Sequence, residues 1–499
     1  MIYNFNLGIG WASSGVEYAQ AYRAKVLRNI GKEARFVFTD MFPKDGLIEM
    51  TRNIGFEDQE IIWLYTFFSD FKPSPVTYTL NQLKAGLGGR HYKYERTGKT
   101  AKLIFDEKGC FYTVYFTNER DELVHRVEMV SRGCLIRKDY YTYGRIFSEY
   151  YGPLDNRAYL YQRRFFNEDG SVAYEEIIDG DATMYKFPDQ VLCSKPELVA
   201  YMVRCLKLTD KDIVIIDRTT GVGQAILSNA APAKVGIVIH ADHFSEPSSD
   251  EYNILWNNYY EYAFSQQEHI AFFVTATEDQ RKLLLEQFKH YKNVEPRVCT
   301  IPVGSLPELK YPTEPRRRHS LITASRLAKE KHVDWMIQAV AEAHKAIPDI
   351  SLDIYGKGGE EESLRRLITQ LHAKDYIHLM GQHDLTDVYV KYEAYLSAST
   401  SEGFGLTLME AIGSGLPIIG FDVRYGNQNF IDNGANGYKL YYMEGMEKSI
   451  RQKKMVEAIV KLFTVDNVDE FAQHSYEKAQ KYLTKEVEEA WKRTIEETI

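Results

Sequence analysis

Two glutamates, Glu402 and Glu410, stand with seven residues between them in STSEGFGLTLMEAIGSGLPIIG (399–420). An apolar strand ending near Ser399 runs into the Glu402–Gly403 loop, and a helix starts at about Gly405. In parallel sheets ligands collect at the carboxyl ends of the strands, and a helix N-terminus presents N–H groups to anionic oxygens. Gly403 and Gly405 permit close backbone approach. Glu402 lies at the mouth of the helix and Glu410 one to two turns inside it, so the two carboxylates cannot address one atom. They suit hydrogen bonds to hydroxyls at different parts of an extended ligand.

Other residues could act with them. The segment SRLAKEKHVDW (325–335) follows a strand and opens a helix. Alone it reads as a solvated loop with a basic pair; ahead of the two-glutamate element, Arg326 and Lys331 can set two cations beside an anionic ligand. Gln382 and His383, just after the strand YIHLMG, are placed either to hydrogen-bond a base or simply on the surface. His240 closes the run VGIVIH, where a strand delivers a side chain into a cleft, or where a histidine is buried and structurally satisfied. In GWASSGVEYAQ (10–20), Gly15, Val16, Glu17 and Tyr18 open a helix behind a glycine loop, a feature shared with many ordinary turns. DRTTGVGQ (217–224) is a further loop at a strand end. No Asp-x-Asp motif occupies a loop suited to a metal, so the expectation is no metal and no cofactor.

The elements that must position these residues are α/β in kind. A strand at Ile2 to Leu7, a glycine-bearing loop at Gly8 to Gly15 and a helix from about Val16 to Arg28 open the chain. Apolar runs resume at IVIID (213–217), VGIVIH (235–240), IAFFVTA (270–276) and RVCTIPV (297–303), which suits buried parallel strands. Between about 55 and 195 the pattern changes to alternating segments punctuated by DEKG, TNERDE and NEDG, an antiparallel meander inserted into the first α/β domain. Tyrosine and phenylalanine concentrate there, as in YYTYGRIFSEYY (140–151), either as sheet-face packing or as a surface for a partner. After the polar stretch KYPTEPRRRH (310–319), a second α/β domain offers strands at 320–325, 351–356, 376–381, 394–399 and 417–422, and the tail from about Met446 to Ile499 is helical. The expected domains are therefore 1–54 with 196–310, an insert at 55–195, a second Rossmann-like domain at 311–480, and a C-terminal helix at 481–499.

The chain has 499 residues, of which 44% are hydrophobic and 26% charged, too many for one compact domain. A formal net charge of −9 argues against a general nucleic-acid binder. The five cysteines are odd in number and lack a CxxC pair, so they read as reduced core thiols. No stretch approaches the ~18 apolar residues of a spanning helix and no secretory signal is visible, so the expected location is the cytoplasm, with contact to the inner face of the membrane left open.

Glu402 and Glu410 within EGFGLTLMEAIGSGLP resemble the E-x7-E motif of retaining glycosyltransferases of the GT4 family, which have the two-Rossmann GT-B fold. That resemblance implies that Glu402, Gly403, Phe404, Gly405 and Leu406 line a donor site, with Glu410 on the ribose. It implies further that Arg326 and Lys331 neutralise the leaving diphosphate, that His240 contacts the donor sugar, and that Gly15, Val16, Glu17, Tyr18, Gln382 and His383 also border the donor. The segments NLGIGWASSGVEYAQAYRA (6–24), LWNNYY (255–260), SLITASRLAKEKH (320–332) and ASTSEGFGLTLMEAIGSGLP (398–417) resemble the GtfA type of accessory-secretion glycosyltransferase subunit. This implies transfer of N-acetylglucosamine from UDP-GlcNAc to serine or threonine of serine-rich repeat adhesins, beside a GtfB-like partner in a hetero-oligomer, expected to be a heterotetramer, with the inserted sheet binding partner and acceptor. The alternatives are a transferase for another nucleotide sugar or acceptor, a phosphorylase or epimerase on the same architecture, and a non-catalytic acceptor-binding subunit.

Overall fold

The computed structural model describes residues 1–10, 15–42, 46–155 and 157–499. The chain divides into two compact units, Met1–Val238 with Asn258–Ala271 and Ile499, and Ile239–Asn257 with Phe272–Thr498.

In the first unit, five parallel strands lie in the order Lys234–Ile239, Ile213–Ile216, Ile2–Asn6, Ala34–Phe38, Ile61–Trp63. Register is fixed by Ile2 opposite both Ile213 and Ala34, and by Phe36 opposite Ile61. The unbroken apolar run Ile213–Ile216 is buried throughout, as expected of a strand covered on both faces. Helix Gly15–Asn29 follows the first strand. Residues 11–14 of the glycine loop lie outside the described residues.

A second sheet in this unit has ten antiparallel strands, each hydrogen-bonded to its sequence neighbour, from Tyr92–Thr97 to Val191–Leu192. Ala101, Leu103 and Phe105 alternate along one strand and bury their side chains with Val114, Val127 and Met129 under helix Leu80–Ala85. That helix is opened by Thr79, whose hydroxyl accepts from the Gln82 N–H in a capping box. The sheet starts at Tyr92, later than the expected insert boundary at 55, because Ile61–Trp63 extends the parallel sheet instead. The aromatic concentration serves packing at its centre. Tyr140, Phe147, Phe165 and Tyr174 are buried and pack ring against ring across neighbouring strands at centroid separations of 4.2, 5.6 and 4.4 Å, the first and last pairs stacked and the middle one tilted.

In the second unit, six parallel strands run in the order Ile377–Gly381, Ser351–Tyr355, Ser320–Ala324, Ala394–Leu396, Ile418–Phe421, Gly437–Leu440. Successive residues of their apolar runs feed opposite cores. Leu321, Ile354 and Ile419 pack with helices Val333–Ala343 and Lys448–Thr464, whereas Ile322, Tyr355 and Ile418 pack with helix Leu406–Gly413. Each fully buried Leu or Ile contributes roughly 1.5–3 kcal/mol relative to exposure. Two parallel strands, Phe272–Thr275 and Val298–Thr300, also belong to this unit. Leu306 buries its side chain among Ile412, Leu416 and Tyr482, and its N–H donates to the Tyr482 carbonyl at 2.8 Å. The tail folds as helices Lys448–Thr464, Val468–Ala479 and Thr484–Glu496.

None of the five cysteines is a core thiol: Cys134, Cys193 and Cys205 are exposed, and Cys110 and Cys299 are partly so. Among the described residues, no helix is long and apolar enough to cross a membrane.

Candidate functional site

The strand Ala394–Leu396 delivers the chain into the Glu402 loop, and helix Leu406–Gly413 leaves it. Gly405 takes φ +88°, a left-handed conformation that a side chain would disfavour, and so turns the loop into the helix. Tyr395 anchors that turn from below: fully buried, its hydroxyl lies 3.0 Å from Thr407 Oγ1 and donates to the Ala324 carbonyl at 2.9 Å. The start of this helix is thereby tied to the end of the strand that leads into Arg326 and Lys331.

The Glu402 main chain is itself fixed. Its N–H donates to the Arg424 carbonyl at 3.1 Å, and its carbonyl accepts from the N–H groups of Tyr425 and Gly426, each at 2.7 Å. The side chain points to Lys331, whose Nζ lies 2.6 Å from Glu402 Oε2, with both side chains about one-fifth exposed. Lys331 ends the short 3-10 turn Lys329–Lys331 before helix Val333–Ala343. A carboxylate and an ammonium are thus held together at the carboxyl end of a parallel sheet, each still reachable from solvent.

His240 follows strand Lys234–Ile239 directly and is partly buried. Its carbonyl oxygen lies 2.9 Å from where a Cβ on Gly403 would be, so the absence of a side chain at 403 is what lets the two segments meet. Phe404 turns inward, 6% exposed, against Phe430 at 5.0 Å, which leaves only its backbone for a ligand. Leu406 packs on the same core.

Glu410, inside the helix, accepts a hydrogen bond from the Tyr389 hydroxyl at 3.0 Å. Burial pushes its carboxyl pKa upward, and the Tyr389 hydrogen bond opposes that shift. Arg326 is brought to neither glutamate. Its side chain is 74% exposed and pairs with Glu330 at 2.9 Å, one turn on. Gln382 and His383 are exposed beyond strand Ile377–Gly381, with His383 Nε2 2.8 Å from the Met380 carbonyl and its ring 5.9 Å from that of Tyr355.

The remaining candidates belong to the first unit. Gly15 and Tyr18 are exposed at the opening of helix Gly15–Asn29, Val16 is partly buried, and Glu17 is buried with its carboxylate 3.6 Å from the Arg218 guanidinium. In the loop after Ile213–Ile216, Asp217 is buried, accepting from Gln20 Nε2 at 2.6 Å and from Arg23. That loop is built around a structural ion pair.

Sequence reasoning missed Tyr425, His243 and Tyr395. Their contacts with one another and with the glutamate loop join residues far apart in the chain, and no local pattern marks them.

Residues 93–189 match the family model described as GtfA extended beta-sheet domain, and 310–453 match Glycosyl transferases group 1. A Streptococcus gordonii protein called UDP-N-acetylglucosamine--peptide N-acetylglucosaminyltransferase GtfA subunit is 52% identical over 497 residues, covering 99% of this chain and 98% of that protein. A crystal structure of a GtfA/B complex superposes with a TM-score of 0.97 at 52% identity, covering 100% of this chain and 99% of that one. The pneumococcal O-GlcNAc transferase GtfA, crystallised with UDP and GlcNAc, gives a TM-score of 0.92 at 46% identity, covering 100% and 98%. The fold is GT-B, with two Rossmann-like sheets and an antiparallel sheet inserted in the N-terminal half. With two-glutamate loop, antiparallel sheet and full-length relatives in agreement, the chain belongs to the GtfA family of glycosyltransferase subunits.

Proposed function

We propose that this chain transfers N-acetylglucosamine, with retention, from UDP-GlcNAc to serine or threonine of a serine-rich repeat protein, in a hetero-oligomer with a GtfB-like subunit, as a heterotetramer. The observation that carries the reading is the Lys331–Glu402 pair, set between two strand ends and a helix start, in a chain 52% identical to a peptide N-acetylglucosaminyltransferase GtfA subunit. Glu402 faces the donor sugar and Glu410 the ribose. Lys331, Arg326 and the N–H groups at the Gly405–Leu406 helix start stabilise negative charge on the departing diphosphate. His240, Gln382 and His383 complete the donor surroundings.

The bond from sugar C1 to the β-phosphate oxygen breaks. The acceptor oxygen bonds C1 on the same face, and its proton passes to the leaving phosphate. Glu402 positions the sugar and forms no ester. Charge compensation by Lys331 and Arg326 makes the transfer independent of metal.

The partner face lies on the antiparallel sheet, where Ile177 and Met184 sit opposite one another on neighbouring strands and are exposed. The working location is the cytoplasm, peripheral to the inner face of the membrane.

The test is intact-mass analysis of a serine-rich peptide incubated with this chain, a GtfB-like partner and UDP-GlcNAc in EDTA, with UDP-glucose as control. N-acetylhexosamine steps from UDP-GlcNAc alone are expected. No transfer together with no donor consumption would shift the reading to a non-catalytic acceptor-binding subunit.

A further inference from the structure

Behind Glu402 lies a buried polar cluster to which the transfer chemistry assigns no role. The segment 424–426 holds the Glu402 main chain through three hydrogen bonds, and Glu402 and Tyr425 form an isolated parallel bridge. What fixes that segment from the other side is the Tyr425 side chain, 1% exposed. Its hydroxyl lies 3.3 Å from His243 Nδ1 and also faces the Asp242 carboxyl.

His243 is fully buried, and its Nε2 is 2.7 Å from Gln287 Oε1 on helix Glu278–Lys292. An amide oxygen can only accept, so Nε2 carries the proton and Nδ1 is the bare acceptor for the Tyr425 hydroxyl. Burial holds the ring neutral, with its pKa lowered to about 4. The neighbouring charged groups are Asp242, Arg424 and Glu246, the last two paired with each other. Only two residues separate His240, beside Gly403, from His243, so one short segment, 240–243, touches the glutamate loop from the front and braces it from behind.

We propose that His243 and Tyr425 are positioning residues for the transfer reaction, holding the Glu402 backbone so that its carboxylate meets the donor sugar. The proposal rests on the assignment of Glu402 to the sugar. Displacing a positioned group by a fraction of an ångström is felt in turnover more than in ground-state binding. The hydroxyl of Tyr425 and the acceptor nitrogen of His243 act in series, so removing either should cost about the same and removing both no more.

The experiment has two readouts. Without substrate, amide hydrogen exchange at Tyr425 and Gly426, whose N–H groups bond the Glu402 carbonyl, should speed up about tenfold in Tyr425→Phe; unchanged exchange overturns the proposal whether or not the protein is a transferase. With the GtfB-like partner, UDP-GlcNAc and a serine-rich peptide, Tyr425→Phe and His243→Leu should each lower kcat about tenfold, with KM for UDP-GlcNAc within twofold. The double variant should fall no further. His243→Asn, whose amide oxygen can replace Nδ1 as acceptor, should recover at least half of the wild-type kcat. Wild-type kcat in folded Tyr425→Phe, or no recovery in His243→Asn, overturns the proposal. A wild-type protein that transfers nothing would instead count against the proposed function and leave the exchange result to decide.

Discussion

Lys331 Nζ lies 2.6 Å from Glu402 Oε2, and each side chain keeps about a fifth of its surface in contact with solvent. A pair so placed is neither a sealed structural bridge nor a loose surface contact. In the proposed reaction the ammonium exchanges the carboxylate for a diphosphate oxygen as donor enters, releasing Glu402 toward the sugar. Glu402→Gln should therefore lower kcat about a hundredfold or more while the thermal transition moves little, because the amide still fills the same space. Lys331→Met should fall as far, and Lys331→Arg should lie between, since a guanidinium keeps the charge but spreads it over a planar fork. Single-turnover transfer assays beside circular dichroism check both expectations. Near-normal turnover in Glu402→Gln, or a glycosyl ester trapped on Glu402 by intact-mass analysis, would remove its positioning role.

Glu410 makes a separable prediction. Its carboxylate accepts a hydrogen bond from the Tyr389 hydroxyl at 3.0 Å. If it binds the ribose, Glu410→Gln should weaken UDP binding about tenfold, through loss of a charge-assisted hydrogen bond. Calorimetry with UDP and its 2′- and 3′-deoxy analogues makes this specific. One analogue should bind the wild type as weakly as UDP binds Glu410→Gln, and should lose nothing further in the variant. Full additivity for both analogues would place Glu410 elsewhere.

On the antiparallel sheet, Ile177 and Met184 sit directly opposite one another on neighbouring strands and are 40% and 41% exposed. An apolar cross-strand pair facing solvent adds little to the sheet alone but suits a covered face. The double variant Ile177→Lys with Met184→Lys should weaken association with the GtfB-like subunit at least tenfold and leave UDP affinity unchanged. Light scattering of the mixed subunits and UDP calorimetry together decide it, and undiminished complex formation would move the partner face off these strands.

Much of this arrangement is legible in the residues. Continuous apolar runs locate the parallel strands because strands covered on both faces need no polar alternation, and DEKG, TNERDE and NEDG mark turns of the meander. Gly437–Leu440 escapes because GYKL is short and lies among Asn and Gly residues that read as loop, although it completes the second sheet beside Ile418–Phe421. Ile61–Trp63 has only three residues, and its place in the parallel sheet is set by Ala34–Phe38, not by its own pattern. The two-glutamate loop is readable because it is local. The Lys331–Glu402 contact joins residues 71 apart and the Tyr425–His243 contact residues 182 apart. A single sequence carries no signal for such pairings beyond the presence of the residue types.

The buried imidazole of His243 gives stability a pH dependence of definite sign. Burial lowers its pKa from 6.5 to about 4. Between those values the unfolded chain binds a proton that the folded chain excludes, so stability falls as pH drops below about 6.5 and the loss levels off below about 4. The full difference corresponds to about 3 kcal/mol, of which about 1 kcal/mol is felt at pH 5.5. Buried carboxyls with raised pKa, Glu410 among them, act in the opposite sense. The informative quantity is thus the difference between wild type and His243→Asn. Urea unfolding of the second unit's transition at pH 7.5 and 5.5 should show a shallower pH dependence in the variant, and equal slopes would mean that the ring is hydrated.

Gly403 tests the site from its backbone. A Cβ there would come within 2.9 Å of the His240 carbonyl oxygen, closer than such contacts are found, and the obstacle is main chain, so it cannot be relieved by a rotamer change. Gly403→Ala should push the Glu402 loop away from His240 and lower kcat about tenfold or more. Gly359→Ala is the matched control, because a Cβ at 359 meets nothing within 4 Å. It should leave turnover within twofold of wild type. Crystallography or amide exchange of Gly403→Ala should find the displacement confined to the loops carrying Glu402 and His240. If Gly403→Ala keeps full turnover, the close approach of His240 to the glutamate loop contributes packing alone, and the sugar must be held by the Glu402 side chain without it.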